Sequence, residues 1–219
     1  TERSQEVWQT VIQALSEGKK VLWVTNSVQT CIDIYRQAET EIATNMQGKS
    51  IERLIYHSRF RYRDRVAKHK AVIEAFKSAG AVLAVTTQVC EMSLDLSADL
   101  LVSAMAPAAA LIQRLGRLNR FVIEDENGNV DLFSGGVATA VIYAWENSKP
   151  YEIEELETGK ALVTQLQYEA EISQQQLAKI SAEFNTTSPE NIRALWLDGH
   201  WCTYPEMLRE SGYTVTVLL

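Results

Sequence analysis

The sequence has no apolar run long enough to cross a membrane, since about 18 residues are needed and its most apolar stretch, residues 104–112, contains Pro107. It has only 3 cysteines, Cys31, Cys90 and Cys202, which lie far apart and form no C-x-x-C pair. This spacing argues against a zinc site or a disulfide framework and is typical of a reducing compartment. We therefore expect a cytoplasmic protein with no membrane contact.

An excess of positive charge is missing as well. Lys and Arg number 21 against 28 Asp and Glu, and the net charge of −7 excludes a protein that binds polyanions over its whole surface. The first residues show no secretory signal pattern. An initiator Met is absent, which we interpret as a sign of a fragment or of one lobe of a longer chain. The apolar content of 46% is sufficient for a buried core.

Short apolar runs alternate with segments of helical periodicity, at spacings too long for hairpins. Strands are predicted at residues 21–24, 54–56, 81–85, 100–102 and 137–143. Helices are predicted at residues 5–16, 28–42 and 62–77. Asn26 or Ser27 is the predicted cap of the second helix, and Val66, Ile73 and Phe76 are expected to face inward on the third. This alternation predicts an α/β fold with a parallel sheet and right-handed crossovers.

Polar residues follow three of the predicted strands, at the carboxyl ends where parallel sheets bind their ligands. They are Ser27 after the first strand, His57, Ser58 and Arg59 after the second, and Thr86, Thr87 and Gln88 after the third. Groups of these kinds bind the phosphates of nucleic acids, and we predict nucleic-acid contacts for all of them. The alternatives are a hydrogen-bonded imidazole at the edge of the core for His57 and ordinary strand-end residues for Thr86 and Thr87.

The stretch from residue 53 to residue 70 is strongly basic although the whole chain is acidic. Its cations are Arg53, Arg59, Arg61, Arg63, Arg65, Lys68 and Lys70, and the rings among them are Tyr56, Phe60 and Tyr62. Asp64 is the acidic residue in this stretch. Clustered positive charge with nearby rings is typical of a surface that binds a nucleic-acid backbone. The alternative for its helical part is a solvated helix face.

Residues 113–120 contain three arginines, and we predict that they are helical. At about 100° per residue, Gln113, Arg117 and Arg120 share one stripe, while the leucines of the segment gather on the opposite side. Gly116 would stand in the middle of this helix at a cost of about 1 kcal/mol relative to Ala. Its presence there indicates a close approach of another backbone or of a ligand.

A planar guanidinium forms bidentate pairs with phosphate oxygens. We therefore predict that Arg117 and Arg120 are arginine fingers, which act on the γ-phosphate of a bound nucleotide. Gln113 and Gly116 are predicted to contact the same nucleotide, and Asp95 to accept a hydrogen bond from its ribose. The alternatives are a solvated basic helix face for the arginines and a turn or N-cap role for Asp95.

Residues 43–50, with the sequence ATNMQGKS, match a relaxed phosphate-loop pattern. A phosphate loop works only between a strand and a following helix, because the N–H groups of the helix terminus must point at the phosphates. Here the segment follows a predicted helix and precedes a predicted strand. We interpret it as a surface turn.

Three blocks together, HSRF at residues 57–60, TQVCEMSLD at 87–95 and QRLGRLNR at 113–120, give residues 21–120 a family resemblance. They resemble the second RecA-like lobe of a superfamily 2 helicase, and in particular the signature helicase of type I CRISPR systems. The resemblance implies a RecA-like parallel sheet with helices on both faces. It also implies an ATP-driven motor on single-stranded DNA, with ATP between two lobes and Mg²⁺ held by the first lobe.

The same resemblance implies two partners, the first RecA-like lobe and the RNA-guided type I surveillance complex, and a nuclease in a separate domain or subunit. The sequence shows no D-E-x-H-type block and no His-Asp nuclease cluster, and its phosphate-loop match lies in the wrong context. We therefore expect the chain alone to be inactive as an ATPase. The alternative function is a freestanding lobe that binds nucleic acid or a partner without catalysis.

Two domains are predicted. Residues 1–148 form the helicase lobe, with a hairpin at residues 127–128. Residues 149–219 form an acidic linker helix and a small mixed α+β accessory domain, in which Ser173 and Gln176 make a capping box. A second hairpin is predicted at residues 198–199 and a last strand at residues 214–219.

Overall fold

The computed structural model describes residues 2–120, 123–124, 130–131, 137–144, 149–168 and 171–184. Its strands are β1 (Lys20–Val24), β2 (Glu52–Tyr56), β3 (Val82–Thr86), β4 (Leu100–Ala104), β5 (Ile123–Glu124), β6 (Val130–Asp131) and β7 (Thr139–Tyr143). Its helices are α1 (Glu2–Ser16), α2 (Val28–Asn45), α3 (Tyr62–Lys77), α4 (Val89–Ser93), α5 (Ala108–Leu115), α6 (Ile153–Leu166) and α7 (Gln174–Phe184).

Five of the strands form one sheet in the spatial order β2-β3-β1-β4-β7, and every neighbouring pair is parallel. β5 and β6 pair antiparallel, on either side of the hairpin turn predicted at residues 127–128, which lies outside the described residues. β3 and β4 are buried at every position, as expected for strands that are covered on both faces. The predicted α/β class with a parallel sheet is confirmed.

Helices cover both faces of this sheet, as predicted. On one face α1 and α2 pack on the sheet, and the rings of Trp8 and Trp23 lie 4.7 Å apart. On the other face α3 inserts Val72 and Phe76. The inward orientation predicted for Val66 is wrong, because its side chain is 51% exposed. At 100° per residue, Val66 lies about 120° from Val72 around the helix and therefore misses the buried stripe.

The strand register brings three loops side by side at the carboxyl edge of the sheet. Val24 at the end of β1 pairs with Thr86 of β3 on one side and with Ser103 of β4 on the other. The segments that begin at Thr25, Thr87 and Met105 therefore leave the sheet next to one another. β2 ends level with β3 and places His57 on the same edge, two strands from β1.

The segment that matches a phosphate loop is a turn between α2 and β2. α2 continues to Asn45, and Lys49 N donates to Met46 O at 3.2 Å in the turn that follows. Gly48 has φ +79°, a value that suits glycine. The segment directly follows a helix, not a strand, and no helix begins in it. This arrangement confirms the interpretation as a turn.

α6 and α7 pack against α5, in a cluster around Leu111 and Leu162. The predicted capping box is present before α7, since Gln176 N donates to Ser173 Oγ at 3.1 Å and Ser173 N donates to Gln176 Oε1 at 2.8 Å. At Gly159 the backbone of α6 approaches the β4–α5 loop closely. A Cβ atom there would overlap the carbonyl oxygen of Ala106.

The hairpin at residues 198–199 and the strand at residues 214–219 lie outside the described residues. The domain boundary after residue 148 therefore stays a prediction, as does the α+β character of the accessory region. Within the described ranges, no helix is long and apolar enough to cross a membrane.

We predict that Gly159→Ala destabilises the protein, by about 1–3 kcal/mol, because the added methyl group overpacks the contact with Ala106. Helix propensity alone predicts the opposite sign, a gain of about 1 kcal/mol. Denaturant unfolding measures the difference. The matched control is Thr164→Ala, an exposed position on the same helix, which should change stability little. A stabilised Gly159→Ala variant would contradict the close approach.

Candidate functional site

Hydrogen bonds tie together the loops that follow β1, β3 and β4. Thr25 N donates to Thr86 O at 2.8 Å, and the side-chain amide of Asn26 donates to Met105 O at 2.7 Å. The side-chain amide of Gln88 donates to Asn26 O at 3.0 Å. Asn26 is buried, and buried polar groups are held by such bonds in one geometry. This edge of the sheet therefore has a fixed shape.

Arg114 on α5 is completely buried at the same edge. Each N–H group of its guanidinium has an acceptor. The acceptors are Glu91 Oε1 (2.8 Å), Ser103 Oγ (3.0 Å), Ala104 O (3.0 Å), Asn26 Oδ1 (3.1 Å) and Tyr151 OH (3.1 Å). A buried charge is tolerated only when it is paired and hydrogen-bonded. Arg114 therefore requires one particular arrangement of β1, β4, α4, α5 and the segment before α6.

Burial and the guanidinium of Arg114 have opposite effects on the charge of Glu91. Burial raises the pKa of Glu91, and the positive charge of Arg114 opposes that rise. Arg114, with a smaller contribution from Arg117, therefore favours the ionised carboxylate. Burial likewise raises the pKa of Tyr151, so that its hydroxyl stays neutral while it accepts from Arg114.

The prediction that residues 113–120 are helical throughout is wrong, because α5 ends at Leu115. Gly116 is the C-cap, and the next two N–H groups, of Arg117 and Leu118, donate to carbonyls three residues earlier, which tightens the last turn. A Cβ atom at Gly116 would be in ordinary van der Waals contact with the carbonyl oxygens of Ile112 and Gln113. The structure therefore does not show the close backbone approach that was predicted at this glycine. We call residues 116–120 the arginine loop.

The arginine loop lies on the α3 face of the sheet, beside the segment that precedes β4. Ala98 N donates to Arg117 O at 2.8 Å, and Asn119 N donates to Ala98 O at 3.2 Å. Leu118 is buried in the core of that face. Arg117 and Arg120 therefore do not share a helical stripe with Gln113, which remains on α5 with its side chain exposed.

Arg117 is buried and has an unused donor. Its Nη2 donates to Glu91 O, whereas its Nε has no hydrogen-bond partner in the described structure. Burial and the positive charge of Arg120 lower the pKa of Arg117. A buried N–H without an acceptor is costly, and an anion that reached this side chain would relieve the cost.

Arg120 and Asp95, both predicted to contact the nucleotide, lie next to each other. Arg120 Nε is 2.9 Å from Asp95 Oδ1, and both side chains are exposed, at 41% and 68%. The backbone N–H of Arg120 donates to Ser97 Oγ at 2.9 Å. The structure thus groups Asp95 with the arginine loop, away from the carboxyl edge.

The predicted nucleic-acid residues Ser27, Thr86, Thr87 and Gln88 lie at the carboxyl edge. Ser27 is the N-cap of α2, and its Oγ accepts from Thr30 N at 3.1 Å, which confirms one of the two predicted caps. Thr86 and Thr87 are buried. The Oγ1 of Thr86 donates to Thr87 O at 3.3 Å. Of these four side chains, Gln88 links two loops through its bond to Asn26 O, and the contact of all four with nucleic acid stays a prediction.

His57, Ser58 and Arg59 follow β2 on the same edge. Ser58 and Arg59 are exposed, whereas His57 is buried and stacks on Phe60, with ring centroids 4.1 Å apart and planes 6° apart. Burial lowers the pKa of His57, which favours the neutral ring. Its Nδ1 has no hydrogen-bond partner among the described residues.

The sequence predicted no role for Arg114, Glu91 or Tyr151, and for Asn26 it predicted a helix cap, a role that Ser27 fills instead. A signal for Arg114 was present, since at 100° per residue it lies about 60° from Leu111 and about 40° from Leu118, at the border of the apolar side of the helix. A cation on such a stripe requires a buried partner. The partner itself, 23 positions away in sequence, follows from the fold alone.

Metal-binding and thiol groups do not add to the site. Within the described ranges, no cluster of His, Cys, Asp and Glu is arranged to hold a metal ion. Cys31 and Cys90 are free thiols and buried. Burial raises the pKa of each to about 12, so both stay protonated and unreactive.

Comparison with known proteins finds a family match for just under half of the chain. Residues 17–122 match the family model described as "CRISPR-associated nuclease/helicase Cas3, C-terminal". This part of the chain is similar to the C-terminal part of Cas3. The predicted resemblance to the second lobe of a superfamily 2 helicase is thereby confirmed.

Individual relatives agree with the family match. The chain is 40% identical over 216 residues to a CRISPR-associated nuclease/helicase Cas3 of Myxococcus xanthus, covering 98% of the chain and 27% of that protein. It is 33% identical over 115 residues to the CRISPR-associated endonuclease/helicase Cas3 of Escherichia coli K12, covering 50% of the chain and 12% of that protein. The chain thus spans about a quarter or less of these relatives.

Solved structures show the same fold. The structure of T. fusca Cas3-ATP superposes with a TM-score of 0.67 at 20% identity, over 90% of this chain and 24% of that chain. A chain of a CRISPR RNA-guided surveillance complex in a pre-nicking state superposes with a TM-score of 0.56 at 20% identity, again over 90% and 24%. The RecA-like architecture predicted from the sequence is confirmed.

We predict that Arg114→Met lowers the free energy of unfolding by about 3–5 kcal/mol, because it leaves the carboxylate of Glu91 buried without its partner. Chemical denaturation measures the loss. The control Arg120→Ala breaks an exposed ion pair instead and should cost about 1 kcal/mol or less. Similar losses in the two variants would contradict the structural role assigned to Arg114.

The loss in Arg114→Met should shrink at acid pH. Without Arg114, the pKa of Glu91 in the folded variant should be higher still. At pH values between the pKa of Glu91 in the unfolded chain and its pKa in the folded variant, the folded state therefore binds more protons than the unfolded state. Stability of the variant then falls as pH rises through that window. The difference from wild type should be smaller at about pH 5 than at about pH 7.5. Equal differences at both values would contradict this electrostatic origin.

Proposed function

We propose that the chain is the second lobe of an ATP-dependent motor that translocates on single-stranded DNA, within a helicase–nuclease that unwinds and degrades foreign DNA. The observation that carries this proposal is the arginine loop. It presents Arg117, which has an unused buried donor, and the exposed Arg120, on a lobe of the Cas3-like family. Cas3 relatives are named as nuclease/helicases, which disfavours a lobe that only binds.

The nucleotide proposed for this site is ATP. The T. fusca Cas3 structure with the same fold contains ATP. Here Arg117 and Arg120 would pair with the γ-phosphate, and Asp95 would accept from the ribose once Arg120 has left it for the phosphate. Gly116 begins the arginine loop and Gln113 lies just before it on α5, and we propose both as contacts of the same nucleotide. The described residues offer no metal-holding cluster, so the proposal assigns Mg²⁺ to the first lobe and expects no ATPase from this chain alone.

Single-stranded DNA is proposed to run along the carboxyl edge of the sheet. Arg59 and Ser58 are exposed there, and Ser27, Thr86, Thr87 and Gln88 shape the surface beside them. Phosphate contacts carry most of the affinity in such sites without reading the sequence. His57 would support Arg59 through its stack with Phe60. The edge and the arginine loop then serve different ligands.

Two protein partners complete the proposal. The first RecA-like lobe would supply the phosphate loop and the metal. A surveillance complex is proposed as the second partner because a chain of such a complex shares this fold. The residues of this chain that would contact it are not assigned.

We predict that Arg117→Ala and Arg120→Ala each lower ATP turnover of the intact motor by about 10³-fold, if they act as fingers. Nucleotide affinity should fall much less, because fingers act on charge that develops in the transition state. Steady-state ATPase and nucleotide-binding assays separate the two effects. The matched control is Arg36→Ala, an exposed arginine on α2. Turnover within a few-fold of wild type in both finger variants would end this assignment.

A further inference from the structure

The first turns of α3 expose an apolar surface that nothing in the described structure covers. Tyr62 is 75% exposed and Val66 is 51% exposed. The two residues are four positions apart on one helix, and such residues are neighbours on its surface. Single exposed apolar residues are common, but an adjacent pair with a large ring is a candidate binding surface.

Four arginines lie close to this surface in sequence. Arg59, Arg61 and Arg63 are exposed, and Arg65 is half-buried. Within the described ranges, none of these four arginines lies within 4.0 Å of a carboxylate. A chain of net charge −7 thus keeps unpaired arginines close in sequence to one exposed ring, with Asp64 as the acidic residue among them. That combination indicates an anionic ligand that also carries flat apolar groups.

Two cations in this region already make cation–π contacts with rings. The Arg65 guanidinium carbon lies 5.8 Å from the centre of the Tyr62 ring. Lys68 Nζ lies 4.9 Å from the centre of the Phe60 ring, which is itself stacked on His57. Arg65 therefore restricts the orientation of the Tyr62 ring and leaves most of it in solvent. Phe60 is half-buried and already stacked, so Tyr62 is the ring that remains free to stack on a ligand.

We propose that Tyr62 is a stacking platform for one base of single-stranded DNA, and that Arg59 and Arg63 bind the phosphates beside that base. This inference rests on the proposed function and extends the DNA path from the end of β2 onto α3. Stacking on a ring is independent of base sequence, as a translocating motor requires. Val66 widens the apolar surface next to the ring. An acidic protein surface is the competing partner, and the experiment distinguishes it.

The test measures the affinity of the intact helicase for two oligonucleotides, one of thymidines and one of the same length in which the bases are replaced by abasic sites. Tyr62→Ala should weaken binding to the thymidine strand by about 5-fold or more. It should leave binding to the abasic strand unchanged, because no base is present to stack. Tyr62→Phe keeps the ring and should bind like wild type.

Salt dependence separates the ring from the arginines. Tyr62→Ala should keep the wild-type slope of log affinity against log salt, whereas Arg59→Ala should reduce its magnitude by about 0.7 for one lost phosphate contact. The matched control is Tyr168→Ala, an 85% exposed tyrosine after α6, which should bind like wild type. Tyr62 is exposed, so the stability of Tyr62→Ala should equal that of wild type, and a melting curve verifies this.

Other outcomes overturn the inference. Equal affinity of Tyr62→Ala and wild type for the thymidine strand would remove Tyr62 from the DNA path, and the proposed function would stand if DNA still stimulated the ATPase. An equal loss on both strands would mean that the ring contacts the backbone. Unchanged DNA binding with lost affinity for the surveillance complex would mean an acidic protein partner. A wild-type helicase that binds no single-stranded DNA would overturn the proposed function as well.

Discussion

The buried charge of Arg114 is the constraint on which the rest of this site depends. A guanidinium without exposed surface must have a carboxylate and a full set of acceptors, and the fold supplies them from four separate segments. Any shift of β4, of α4 or of the segment before α6 would leave one donor without a partner. The network therefore specifies the position of α5, and with it the point at which the arginine loop begins.

This network lies between the residues that the sequence assigned to nucleic acid and those that it assigned to the nucleotide. The carboxylate of Glu91 binds Arg114 at the strand edge, while the carbonyl oxygen of the same residue accepts from Arg117 in the arginine loop. The edge is the proposed DNA surface, and the loop is the proposed nucleotide surface. If DNA binding moved α4, Glu91 would therefore transmit that movement to both Arg114 and Arg117. Tyr151 connects the segment before α6 to the same network.

The sequence predicted the layers of the fold well because apolar runs and periodicity depend on local neighbours. It placed the strands, the cap at Ser27 and the turn at residues 43–50. It failed where distant segments decide the structure: the predicted helix through residue 120 ends at Leu115, because the following residues pair with Ala98. Arg114 lies at the border of the apolar stripe in the helical pattern, which is a signal for its burial, whereas its partners required the strand order. The three motif blocks identified the family, but they did not show that Asp95 and Arg120 are in contact.

The proposed function requires that the arginine loop contacts the nucleotide. It also requires that the Arg114 network fixes the position at which this loop begins. A structure of the intact two-lobe protein with ADP and aluminium fluoride, which mimics the phosphate in transfer, tests both requirements most directly. We expect the guanidiniums of Arg117 and Arg120 within hydrogen-bond distance of the fluoride, the Arg120–Asp95 pair broken, and the contacts of Arg114 unchanged. A structure in which neither arginine contacts the fluoride and Arg120 still binds Asp95 would contradict the account.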